Sequence, residues 1–198
     1  MGTGQWIRHL PFPAGNRIRV TDRLQLAVYL FDFEHEHSAE EGSSTKWAGT
    51  GLEAVYQLTD PNKDPIGSAV YLETIMNDKD LEIEGKFLLQ KNLGKLMLVS
   101  NSIVAGKWED GYSARVGELE QLIAVSYEIV PSFSVGLEAK YEVELEDWRH
   151  SGGNAVFVGP NVSFRKGRFF SAATCMFRVS DVEGEPHIEF GTVMGLHF

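Results

Sequence analysis

Apolar and polar residues alternate along most of this chain with a period of two. The clearest stretch runs from Ser134 to Leu145. Val135, Leu137, Ala139, Tyr141, Val143 and Leu145 fall on one face of it, and Ser134, Gly136, Glu138, Lys140, Glu142 and Glu144 on the other. Successive side chains of a strand point to opposite faces, so this pattern predicts a strand with one oily and one charged side. At the C-terminus, Ile188, Phe190, Thr192, Met194, Leu196 and Phe198 oppose His187, Glu189, Gly191, Val193, Gly195 and His197 in the same way. Residues 80–91 set Leu81, Ile83, Phe87 and Leu89 against Glu82, Glu84, Lys86 and Gln90, and 152–165 set Val156, Val158, Val162 and Phe164 against Asn161, Ser163 and Arg165. The stretches 24–33, 45–58 and 115–130 read alike; 66–76, 96–108 and 168–180 are less regular. Helical spacing is nowhere sustained.

Strands of this length and number, joined by clusters of Asp, Asn, Pro and Gly, predict an all-β, up-and-down antiparallel barrel of the transmembrane type, because closure removes the exposed edges of so large a sheet. Immunoglobulin-like sandwiches use shorter strands and closer turns. Counted back from the C-terminus, one set of connections is 166–168, 130–132, 91–95, 59–65 and 21–23. The opposite set is 180–186, 147–153, 109–114, 76–79 and the long 34–44. The second set is mostly longer, the asymmetry of membrane barrels, although the 59–65 and 76–79 connections break it. Parity leaves too little chain before Thr21 for two more crossings of a wall of about 25 Å at about 3.3 Å per residue. The expectation is therefore one domain, 1–198, of about ten full strands. Residues 1–21 form an atypical segment, either a short hairpin or the stub of a lost one.

Alternation does not decide which face looks inward. A soluble lipocalin-like barrel turns its oily face in; a membrane barrel turns it out. No apolar run approaches the roughly 18 to 20 residues of a spanning helix, which excludes a helical membrane protein. Mean hydropathy is −0.17, compatible with either barrel, since membrane strands hide their apolarity at every second position. The net charge of −10, from 28 acidic and 18 basic residues, disfavours nucleic-acid binding. The single cysteine, Cys175, reads as an inert buried thiol of a strand. The N-terminal MGTGQWIRHLPFPAGN has no basic stretch followed by an apolar core; an outer-membrane protein requires such a signal, so the expectation is that it was removed or the gene truncated.

Three stretches carry a resemblance. TDRLQLAVYL, Thr21 to Leu30, is similar to the T-D-R-L-E/Q-L turn and strand of Gram-negative outer-membrane barrels of the phenol-degradation channel type and related uncharacterised families. SYEIVPSFSVGLEAKYE, Ser126 to Glu142, resembles their strand, Pro turn and G-L-E strand, and the ending Gly195, Leu196, His197, Phe198 resembles the aromatic-terminated assembly signal. Together the motifs extend from residue 21 to the end. The resemblance implies an outer-membrane location, contact with outer-membrane lipid, insertion by the barrel-assembly machinery and a transport or structural role.

The polar face supplies the site candidates: Glu53, Glu82, Glu84, Lys86, Glu118, Glu120, Glu138, Lys140, Glu142, Glu144 and Arg165. Residues at i, i+2 and i+4 of one strand project in parallel, so these read as charged ladders, cross-paired with Arg165, Arg178 and Lys107, that fill a narrow lumen. An acidic excess there would favour cations. His35 and His37 alternate beside Glu34 and Glu36, a weak metal pattern that no third ligand completes, and read as a solvated loop tip. His150 and Ser151 are adjacent, which on a strand sends them to opposite faces; the WRHSGG context reads as a loop, and no catalytic residue or cofactor is assigned. Trp47, Trp108, Tyr112 and Trp148 fall near one end of the strands and Tyr56, Phe169 and Phe198 near the other, as aromatic girdles would.

The functional expectation is a non-enzymatic outer-membrane barrel, a small-solute channel or transporter or a structural barrel. The alternatives are a soluble lipocalin-like barrel for an apolar ligand and, third, an outer-membrane lipid-modifying enzyme.

Overall fold

The computed structural model of the chain describes the backbone of residues 16–38, 42–109, 111, 113–182 and 186–196, with side chains other than those of 16, 17, 29–48, 114, 152 and 196. Eleven strands follow one another: β1 (Asn16–Arg19), β2 (Leu24–Ser38), β3 (Gly42–Thr59), β4 (Gly67–Met76), β5 (Leu81–Leu93), β6 (Leu96–Glu109), β7 (Ala114–Val130), β8 (Phe133–Glu146), β9 (His150–Lys166), β10 (Phe169–Arg178) and β11 (Ile188–Leu196). They form one antiparallel sheet in sequence order, so each strand pairs with its chain neighbours. Among the described residues β1 and β11 do not pair with each other. The all-β, up-and-down architecture is as the alternation predicts: ten strands of 9 to 18 residues, preceded by a short one of four. Residues 1–15 of the atypical N-terminal segment and the terminal Phe198 lie outside the described residues.

The sheet is strongly curved, and the polar face is the concave one. Neighbouring strands lie about 4.8 Å apart, so groups two strands apart on a flat sheet are about 9.6 Å from each other. Yet Ser126 Oγ on β7 donates to Asn161 Oδ1 on β9 at 3.0 Å, passing over β8. Both are short side chains, and they meet because the residue between them in the register is Gly136. A Cβ on Gly136 would lie 2.6 Å from Asn161 Oδ1 and would also strike the Val125 carbonyl. Lys140 on β8 passes over two strands, β9 and β10, and its ammonium reaches Glu189 on β11 at 2.7 Å.

Burial follows the curvature. On the convex face Leu52 is 60 % exposed, Ile123 58 % and Phe190 77 %, while on the concave face Glu53 is 3 % and Glu73 7 % exposed. This arrangement inverts that of a soluble protein, whose large apolar residues are mostly inside. The concave face also has apolar patches. Val55, Ala69, Tyr71 and Leu88 form one, Val99, Leu122 and Ala124 a second, and Ala155, Phe157 and Met176 a third, onto which Val182 of the 179–187 connection folds.

The connections differ from expectation. The stretches 34–44 and 147–153 are not long loops. β2 and β3 continue as a hairpin with only 39–41 between them, and from Asp32 to Gly49 that hairpin pairs with itself alone. His35 and His37 are therefore on a strand backbone, opposite Thr45 and Ser43; their side chains lie outside those described. At the other site, Asp147 and Trp148 adopt left-handed φ values of 48° and 58°. Positive φ at both central residues is the turn that matches strand twist, so β9 begins at His150 and the chain is already extended at Ser151. The length asymmetry between the two ends consequently rests on the 179–187 connection.

A tryptophan is an uncommon occupant of the left-handed region. Trp148 is held there by its ring, which folds back over β7 and β6 onto Gly117 and Gly106, beside Trp108. Asparagine tolerates this φ, so Trp148→Asn isolates the ring's contribution. Unfolding free energy is expected to fall by about 1–3 kcal/mol, read from denaturant midpoints. At the opposite end of the strands Tyr56, Tyr127, Phe133, Phe164 and Phe169 are exposed on the convex face, with Phe164 and Phe169 ring centroids 6.3 Å apart.

Two local features complete the wall. In the 60–66 turn the Asn62 N–H donates to Asp60 Oδ1 at 2.9 Å, and the Asp60 N–H donates to Asp64 Oδ2 at 2.7 Å. The Asn62 N–H, with help from Lys63, holds the Asp60 carboxyl below the usual carboxylate range. That support is present at neutral pH and is lost as pH falls through the lowered value. Between β9 and β10 the pairing lapses from Thr174–Asn161 to Phe177–Val158. Pro160 lies in the gap with no N–H to donate.

Candidate functional site

The concave face is where charged side chains are brought together and withdrawn from water. Register places them in rows across the strands. Glu53 on β3 is opposite Glu73 on β4, which is opposite Glu84 on β5; the row passes through Ala105 on β6 to Glu118 on β7 and Glu144 on β8. The next row holds Val55, Tyr71, Lys86, Ile103, Glu120 and Glu142. Like charges directly opposite one another repel, so these rows need cations, protons or hydrogen-bond donors.

The chain supplies some of these. Tyr71 Oη donates to Glu73 Oε2 at 2.7 Å and reaches Glu53 Oε2 at 3.5 Å. Lys86 pairs with Glu84 at 2.7 Å and sits 4.9 Å from the centre of the Tyr71 ring. Lys107 on β6 pairs with Glu118 across the strand boundary at 2.6 Å. Lys140 pairs with Glu142 at 2.6 Å and with Glu189 at 2.7 Å, over the Phe157 ring at 4.6 Å.

All the sequence-nominated charges, Glu53, Glu82, Glu84, Lys86, Glu118, Glu120, Glu138, Lys140, Glu142, Glu144 and Arg165, fall on this face by register. The pairing differs from the expected ladder. Two of the ion pairs are within a strand at i, i+2, Lys107 serves as an expected cross-strand partner, and Arg178 bonds His187 Nδ1 at 3.1 Å. Arg165 forms no ion pair with a described residue. Among the described residues no group of three or more His, Cys, Asp or Glu is arranged to hold a metal ion. Cys175 is on the convex face and half-buried, not the fully buried thiol expected.

Several residues of the site went unnominated. Glu73 is hidden in the irregular 66–76 segment, where the flanking Tyr71 and Ile75 give the polar face an oily look. Asn101 is 1 % exposed and neither of its side-chain polar atoms has a hydrogen-bond partner; a lone Asn in a strand carries no sequence signal. Glu189 was visible in the final strand, but its approach to Lys140 depends on curvature, which alternation does not encode.

Along this face lies a cavity of about 200 Å³ between β7 and β11, with Glu120, Glu138, Lys140, Asn161 and Glu189 on its walls. No curated protein matches the chain. Residues 117–191, which run from β7 into β11 and include all five of those wall residues, are similar to a family of unknown function (DUF6662), whose model they match.

Proposed function

We propose that the chain is an outer-membrane β-barrel whose convex oily face lies in lipid and whose concave charged face lines a narrow lumen, and that it serves as a small-solute channel or transporter without catalysis. The observation that carries this reading is the inverted burial: large apolar side chains outward, glutamate and lysine inward. Exposed apolar patches beyond a few hundred Å² mark surfaces that meet another apolar phase. Here the exposed apolar positions recur from β3 to β11 and are bordered at both ends by aromatic residues, Trp108 and Trp148 at one and Tyr56, Tyr127 and Phe169 at the other. Hydrocarbon bounded by two interfaces fits that distribution. The resemblance of Thr21 to Leu30 and Ser126 to Glu142 to outer-membrane barrels points the same way. A soluble lipocalin-like barrel would need the opposite faces.

The lumen of this reading is narrow and acidic. Phe157, Leu88 and Asn101 are the largest fully buried side chains, and all three are on the concave face. Solutes passing such a wall would be small, and cations would be favoured over anions.

The test is refolding of the full chain from urea with and without detergent micelles. The expected result is folding only with micelles and a heat-modifiable shift on a detergent gel. A monodisperse protein that folds in buffer alone would sink the membrane reading. Liposome swelling with small amines and small carboxylates then reports the lumen, with faster entry expected for the amines.

A further inference from the structure

The geometry points to a binding site for a small amino alcohol, a primary ammonium carrying an oxygen acceptor, in the cavity between β7 and β11. The inference rests on the reading of the concave face as a lumen and names what that lumen holds. The cavity, of about 200 Å³, has room for a molecule of a few heavy atoms and its water.

Charge is the first argument. Lys140 is the one lysine on the cavity wall, and it is already engaged by two carboxylates, Glu142 and Glu189. Glu120 and Glu138, also on the wall, form no ion pair with a described residue. Glu120 is moreover directly opposite Glu142 in the register. Four glutamates thus surround one lysine, and the surplus is negative. A guest ammonium between Glu120 and Glu138 would supply charge-assisted hydrogen bonds where no described cation is paired with either carboxylate.

The second argument is independent of charge. Asn161 is 5 % exposed, lines the cavity, and its Nδ2 has no hydrogen-bond partner, while its Oδ1 is taken by Ser126. A buried amide donor without an acceptor is unfavourable. A hydroxyl oxygen on the guest would satisfy it. Leu122, Met176 and Val193 supply an apolar side for the carbon atoms between the two polar groups. These contacts suit an organic cation better than a bare metal ion, consistent with the absence of a metal-holding cluster among the described residues.

The experiment is calorimetric titration of the full chain, folded in micelles, with ethanolamine, ethylamine and acetate. Saturable binding of ethanolamine is expected, with ethylamine weaker by about tenfold through loss of one buried hydrogen bond and acetate not binding. Glu120→Gln and Glu138→Gln are each expected to weaken ethanolamine by about tenfold or more. If one variant fails to fold, the other and the three-ligand comparison still decide. No ethanolamine binding, equal binding by the variants, or ethylamine binding as well as ethanolamine would each overturn the site. The heat-modifiable shift is read on the same samples. An intact shift without amine binding removes the site alone; amine binding to a protein that folds without micelles removes the membrane reading alone.

Discussion

Replacement of Ile123 by arginine is expected to destabilise the protein folded in lipid vesicles by about 2–4 kcal/mol. Ile123 is near the middle of β7, on the convex face, and 58 % exposed. In water an exposed apolar residue changed to a charged one costs within about 0.5 kcal/mol. At the depth of hydrocarbon the guanidinium loses its hydration, and mid-strand it has the longest way to either interface. Urea titration of the vesicle-bound protein, monitored by tryptophan emission, gives the difference. Arg in place of Ile18, on the short first strand, serves as the reference and should cost much less. Equal and small effects at both positions would mean that the convex face meets water.

Replacement of Gly136 by valine should be strongly damaging on the opposite face. The new Cβ would enter the space of Asn161 Oδ1 and the Val125 carbonyl, and two methyl groups would separate Ser126 from Asn161. Overpacking of this kind costs about 1–3 kcal/mol, and the lost buried hydrogen bond adds about 1 kcal/mol. Gly85→Ala, on the convex face, is the control, because a Cβ there meets only Val104 Cγ1, at 3.8 Å. The midpoint of denaturant unfolding should drop strongly for the first and hardly move for the second. Similar losses at both positions would show that strand glycines are required for a reason other than the passage over β8.

These two positions also mark what the sequence discloses and what it withholds. The strand count, the order and the division into two faces were legible because period-two alternation is local: Leu137 and Glu138 differ in polarity and adjoin in sequence. The sense of curvature was not legible, since the same alternation serves a sheet bent either way. It becomes apparent in contacts such as Ser126 with Asn161, which are 35 residues apart. The stretch 34–44 reads as loop because it is rich in Glu and lacks an apolar alternation, and only the ladder of the hairpin overrides that propensity. The turn at Asp147 and Trp148 is hidden for the same kind of reason. Left-handed φ is signalled by Gly or Asn, and here a tryptophan holds it through packing on glycines 31 and 42 residues earlier in the chain. Of the candidate site, the charges were readable one strand at a time, but the cavity was not. Its walls come from β7, β8, β9, β10 and β11, and which carboxylates lack a cation is settled by the reach of Lys140.

Pro160 gives the wall an uneven stiffness. Across the strands a sheet resists bending through its rungs of hydrogen bonds, and between Asn161 and Val158 the pairing with β10 lapses, with Pro160 unable to donate. That seam adjoins Asn161, Thr174 and Met176 on the cavity wall. A proline there leaves one donor fewer to hold the wall, a point of compliance beside the space a guest would have to enter.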